Sequence, residues 1–338
     1  MSSVASKQSQ NASLGTSRAT VGTSTVFLPR RFPSLLTFAL GAGALVLLAV
    51  FLSSALQWRQ KPFFGAMLTP NMVVDGSRSI LSEGWPGLSA GLKRLDQVVA
   101  INGQALMETA GDYAAARQRF QDIISNLQVG EPVEVSVLRP DHVSGAVDGC
   151  GDAANGVREC AFTYSLTALR DSDFLAYFVI PFVTGLAAVF IGLAVAYLRP
   201  YQPAAQMTGI FSILLGIFMG GLYNSNNTYI GLLPWLLATL FIGGTLGTLA
   251  LTFPVRLNAL FRYKWLEWLP LLINVPIALI SLVLYVSPPS AYAFPDTWQM
   301  GIFYAVLMLV VYAANLVRWR TMAPSPAVRD QTNTVLIG

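Results

Sequence analysis

The chain has 338 residues, 54% of them hydrophobic and only 11% charged, with a formal net charge of +4. Soluble domains are near a quarter charged, so this composition excludes an ordinary soluble globular protein. The basic balance is no nucleic-acid footprint either. Residues 57–173 hold 10 basic and 14 acidic residues, and outside them only Glu267, Asp296 and Asp330 are acidic. Such a distribution reflects membrane topology.

Residues 1–32 are rich in Ser, Thr, Gln and Asn and have little to bury, so they read as a disordered tail. Apolar runs follow at roughly 35–56, 174–198, 206–223, 229–253, 266–287 and 298–318, none with a charge in its middle. A bilayer core about 30 Å thick takes about 20 residues of helix, so the chain reads as a polytopic α-helical membrane protein of about six spans. The first run also admits a cleaved signal peptide, with small residues at Ser53–Ala55, although it is longer than a usual signal core. The expected division is a cytoplasmic tail to residue 32, span 1 at 33–56, a polar α+β domain at 57–173, a five-span bundle at 174–320, and a cytoplasmic segment at 321–338 that turns apolar again and reads as the start of a truncated further span.

Arg30 and Arg31 precede span 1, Arg199 follows span 2, Arg256, Arg262 and Lys264 lie between spans 4 and 5, and Arg318 and Arg320 follow span 6. By the positive-inside rule these share the cytoplasmic side, placing 57–173 outside the cytoplasm. Arg59 and Lys61 dissent, but the rule weakens beside a long translocated domain. Cys150 and Cys160 both fall in that domain. In an oxidising compartment they suggest a disulfide, with two free thiols as the alternative.

Within the domain, Val98–Ile101 reads as a strand and Asn102-Gly103 as a hairpin turn. Tyr113, Ala116, Phe120, Ile123, Ile124 and Leu127 fall on one face of a helix, which Gly130 ends. Val133, Val135 and Val137 alternate with polar residues, as do Phe162, Tyr164 and Leu166, in two half-buried strands. The 21 residues Arg139–Glu159 between them read as a Gly/Asp-rich loop whose end the cysteines staple to the next strand. Asp141, His142, Asp148 and Asp152 match no metal-binding spacing and read as a solvated acidic loop.

Residues 90–104, AGLKRLDQVVAINGQ, resemble the bacterial PDZ signature A-G-L-x-x-G-D-x-I-x-x-I-N-G, carried here by Gly91, Leu92, Asp96, Ile101, Asn102 and Gly103. Upstream, Phe64, Gly65, Ala66 and Met67 are similar to the family's carboxylate-binding loop. The resemblance implies a groove that binds an extracytoplasmic peptide or protein by strand addition, the peptide carboxylate held by backbone N–H groups near Gly65. The chain departs from the family in carrying Leu95 where the signature has Gly, and in the 21-residue insertion.

In the bundle, Gly216-x-x-x-Gly220 and Gly243-x-x-x-Gly247 are small-residue pairs that let helices approach closely. Asn274 and Asn315 can hydrogen-bond a neighbouring helix. No ionisable residue lies in a span interior, which disfavours an ion-coupled transporter. The only histidine is His142, so neither an H-E-x-x-H zinc site nor a serine–histidine pair exists, and no enzyme, metal or cofactor is expected. The order of single span, PDZ-like domain and bundle is similar to the input half of large bacterial sensor proteins. There a P-x-x-R-x-Q segment, matched by Pro326, Arg329 and Gln331, leads on to a kinase or phosphatase module. The expected function is a sensor input module in the plasma membrane, with the bilayer, an extracytoplasmic peptide or protein, and a second copy of the chain as expected partners. The alternatives are a membrane scaffold and a permease subunit.

Overall fold

The computed structural model describes residues 32–80, 84–109, 111–143, 149–152, 156–255, 258–322 and 325–337. The expected tail lies outside these except for Phe32, as do Arg30, Arg31, Asp148 and Arg256.

Six helices are long and apolar enough to cross a membrane: Leu35–Trp58, Asp171–Leu198, Pro203–Asn226, Leu232–Thr252, Lys264–Val286 and Ala291–Met322. The first lies within α1 (Phe32–Trp58). The polar domain follows, with α2 (Pro86–Ser89), β1 (Gln97–Ile101), β2 (Gln104–Ala105), α3 (Tyr113–Asn126), β3 (Pro132–Pro140) and β4 (Val157–Ser165). Span 2 joins α4 (Asp171–Phe174) to α5 (Ile180–Leu198) through a π turn at Leu175–Val179. Spans 3 and 4 are α6 (Pro203–Asn226) and α7 (Leu232–Thr252). After the short α8 (Asn258–Arg262), span 5 centres on α9 (Leu269–Val286), span 6 on α10 (Phe294–Met322), and α11 (Pro326–Ile337) closes the described chain.

The domain holds an antiparallel sheet of order β2-β1-β3-β4. Ile101 pairs with Gln104 across Asn102-Gly103, both at positive φ (50° and 73°), as a two-residue hairpin turn requires. Val98, Ile101, Val133, Val135 and Val137 of the sheet face Ala116, Phe120 and Ile124 of α3, forming one core. Asp112 caps α3 by accepting from Ala115 N.

The expected loop Arg139–Glu159 is shorter in the structure. The β3–β4 ladder runs on through Leu138↔Glu159 and Arg139↔Arg158 to Pro140↔Val157. It continues because the Arg139 side chain is anchored in the core while its backbone pairs. Cys150 and Cys160 form a disulfide, and Gly151 N to Glu159 O (2.8 Å) and Ala161 N to Gly149 O (2.9 Å) lay the cysteine segment along β4.

In the bundle, span 2 packs on spans 1 and 3, span 3 on span 4, and span 4 on spans 5 and 6. Close approach at small residues explains this order. A Cβ on Gly216 would lie 2.6 Å from Gly185 O, and one on Gly192 would lie 2.7 Å from Gly209 O. Gly220 faces Leu48, Gly243 faces Tyr304 and Ala305, and Gly247 faces Met308 and Pro270. Polar side chains bridge helices: Thr37 donates to Gln206, Asn274 to Leu240 O, and Asn315 to Ala250 O and Phe253 O.

Span 4 begins at Leu232 rather than 229. Gly231 and Tyr229 have positive φ (71° and 58°), which helix does not allow. The apolar pair Tyr229-Ile230 therefore belongs to the turn between spans 3 and 4, and this turn builds the site described next.

Candidate functional site

Phe64, Gly65, Ala66 and Met67 form a bent segment that puts Phe64 and Ala66 into the domain core and Met67 against the bundle. Phe63 N donates to Thr167 O (2.7 Å), and the Tyr164 hydroxyl donates to Phe64 O (2.7 Å). Burial pushes the Tyr164 phenol well above its usual pKa, keeping it a neutral donor. Gly65 has φ +88°, and a Cβ there would lie 2.5 Å from Gly87 N, so the crossing with α2 needs glycine. The Phe64 ring meets Phe120 of α3 edge-on at 5.2 Å. Beyond it, Leu68 pairs with Val74 in a small hairpin, and Val73 pairs with Gln97 of β1.

A groove thus runs between Phe64, Ala66 and Leu68 on one wall and Phe120 and Ile124 of α3 on the other. It is filled by the chain itself. Asn226, Asn227 and Tyr229 of the span 3–4 turn lie in it beside Trp58 and leave no room for a water molecule. Gln121 of α3 donates to Thr228 O at 2.6 Å, and the Tyr229 hydroxyl donates to Leu68 O at 3.4 Å. Burial raises the Tyr229 phenol pKa, with Asp75 adding to the rise and Arg117 opposing it. All four residues of the Phe64–Met67 segment are buried, Phe64 and Ala66 beside this turn, Gly65 against α2 and Met67 against the bundle.

The signature residues build the frame behind the groove. Gly91 has φ +119° and abuts the Phe162 ring; Leu92 and Ile101 are core. Asp96 is fully buried. Its carboxylate accepts Arg139 Nε (2.8 Å) and Nη2 (2.7 Å) and the backbone N–H of Lys93 (2.7 Å), while Arg139 also donates to Gly91 O. The guanidinium lies over the Phe162 ring, 5.3 Å from its centroid. A buried pair made this way leaves no charge unmatched. Arg139 was hidden in the sequence because it sits at the end of an alternating strand where a loop was expected.

A second residue escaped the sequence reading. Asp173, at the start of span 2, is fully buried and accepts from three donors: the Ser79 hydroxyl, shared between its two carboxylate oxygens (3.1 and 3.0 Å), Ile80 N (2.9 Å) and Trp85 Nε1 (2.8 Å). Trp85 packs on Phe63 at 5.1 Å and Tyr177 at 5.6 Å. The segment leading into α2 is therefore fastened to the top of span 2, directly above the π turn. An acidic residue just ahead of a hydrophobic run is the only sequence signal for it.

Among the described residues no cluster of His, Cys, Asp and Glu could hold a metal ion, and Asp141 is ion-paired with Arg158 (2.9 Å). No family model, curated protein or solved structure matches the chain.

Proposed function

We propose that the protein is a membrane sensor input module. In this reading residues 57–173 form an extracytoplasmic PDZ-like domain, the N-terminus is cytoplasmic, the membrane is the bacterial plasma membrane, and the domain binds a peptide or protein partner. One observation carries it: the groove between Phe64–Leu68 and α3 is occupied by the turn joining spans 3 and 4. A ligand in that groove displaces Tyr229 and releases a connection between two membrane helices. The Asp173 joint holds the domain on span 2 while this happens, so groove occupancy shifts the third and fourth helices against the second. Such coupling is reciprocal, and a bundle state that withdraws Tyr229 raises ligand affinity by the same factor.

The test uses the full chain in lipid nanodiscs and a library of peptides with free C-termini, matched to amidated versions. Tyr229→Ala removes the internal competitor and is expected to tighten peptide binding by roughly tenfold or more, as a coupling of a few kcal/mol implies. The amidated peptides are expected to bind weakly, having lost the carboxylate. If neither wild type nor Tyr229→Ala binds any peptide, the groove is a structural joint and the sensing role is lost.

A further inference from the structure

A chamber of about 400 Å³ lies between the underside of the domain and the adjoining ends of the bundle. That volume is within the range of small-ligand sites, toward its lower end. Its membrane-side wall is apolar and aromatic, with Phe218 and Leu222 of span 3, Trp235 of span 4, and Phe294 and Trp298 of span 6. Trp235 is locked in place: its indole stacks on Phe218 at 5.8 Å and its Nε1 donates to Phe218 O at 2.9 Å. Aromatic residues at span ends mark the level where the bilayer meets water.

The other wall comes from the domain and sets the polar Thr69, Asp75 and Arg94 beside Val73, Val74 and Leu95. Asp75, Gly76 and Arg94 line both the chamber and a more open cleft of about 870 Å³ that reaches Arg78 and Lys93. The Arg94 stem lies across Gly76 at the junction of the two spaces. Asp75 is engaged internally, accepting Ser77 N at 2.7 Å and the Ser77 hydroxyl at 2.9 Å. Among the described residues of the cleft, Arg78 and Arg94 bring positive charge, and the Asp75 carboxylate is already hydrogen-bonded. Leu95 walls the chamber from a left-handed conformation, φ +75°, at the position where the PDZ signature has Gly. Strain of this kind persists where the surroundings require the side chain.

We propose that this space is a binding site for a single-chain anionic amphiphile. The chain lies against Phe218, Trp235, Phe294 and Trp298, and a carboxylate or phosphate head is held by Arg94 with Arg78 beyond it. The chamber is too small for a bulky apolar body, and its aromatic wall lies toward the domain-side ends of spans 4 and 6, where interfacial aromatics are expected. The guanidinium fork of Arg94 suits either headgroup. The groove filled by Tyr229 shares only Asn226 with the chamber lining, so the two sites can be tested separately.

The experiment follows tryptophan fluorescence of the full chain in phosphatidylcholine nanodiscs, titrated with three chain-brominated probes. These are a fatty acid, a lysophosphatidic acid and a neutral monoacylglycerol. Saturable quenching by one or both anionic probes, and little by the neutral one, is the expected result; which anionic probe binds tighter names the headgroup. Trp298→Phe should lower the amplitude of quenching, locating the probe in the chamber. Arg94→Gln, on an exposed side chain, should weaken the anionic probes roughly tenfold and leave the neutral one unchanged. The proposal is overturned by equal affinity for the neutral probe, by indifference to Arg94→Gln, by an amplitude unchanged in Trp298→Phe, or by no saturable quenching at all.

Discussion

Asp96 is conspicuous in the sequence as part of a recognisable motif, yet its partner is invisible there, because Arg139 lies 43 positions away and is brought in only by the β1–β3 pairing. Arg139→Met should therefore be severe. It strands a fully buried carboxylate and is expected to destabilise the domain by about 3–5 kcal/mol, and Asp96→Asn, which leaves the buried Arg139 guanidinium without a counter-charge, should cost a similar amount. Thermal unfolding of the two variants in detergent checks this. Asp75 provides a pH test. Burial raises its carboxyl pKa above the usual 3.8, against opposing bonds from Ser77 and the nearby Arg94 charge. An acid whose pKa is higher folded than unfolded penalises the fold at high pH, and the penalty fades as pH falls through the folded value toward the unfolded one. Asp75→Asn should raise the melting temperature at pH 7, with the gain shrinking toward pH 4. A gain that grows on acidification would contradict this assignment.

The helices, strands and their faces were legible because period and burial coincide: Tyr113, Ala116, Phe120 and Ile124 line the inner face of α3 as their spacing requires. The ends of elements were less legible. Hydrophobicity alone carried span 4 back to Tyr229, but the backbone turns at Tyr229 and Gly231 and sends the ring into the groove. The Asp173 joint is likewise an element-end feature. Asp173→Ala leaves Trp85 Nε1 and Ile80 N without their acceptor, so the segment before α2 should loosen from span 2. Faster amide exchange at 84–92 and a red-shifted Trp85 emission are expected, with the bundle helices unchanged; protection equal to wild type would show that packing of Trp85 on Phe63 and Tyr177 suffices. At the far end of the sheet, reducing Cys150–Cys160 opens a short loop and should cost about 2.5–3 kcal/mol, read as a lower denaturation midpoint of the domain.

At the scale of the whole molecule, the domain and the bundle share a buried boundary. Phe63, Met67 and Trp85 from the domain cluster with Phe51, Phe174, Phe178 and Tyr223 from spans 1 to 3. Glycine crossings below this boundary set how close the spans come. Gly216→Leu would drive a side chain into Gly185 O and Val189, and should separate spans 2 and 3 enough to disturb the Trp85 joint as well as lower stability. Distance measurements between spin labels on the two spans would detect the separation.

Local chemistry by itself determined the number of spans, the polar domain between the first two, and the strands and helix inside it. Each follows from hydrophobic run length or from a period of two or 3.6 residues, which are properties of adjacent residues. The occupant of the groove, the Asp96–Arg139 pair, the Asp173 joint and the aromatic chamber were decided only by tertiary structure. Each joins residues tens to more than a hundred positions apart, and no local period encodes which distant segment will fill a given space.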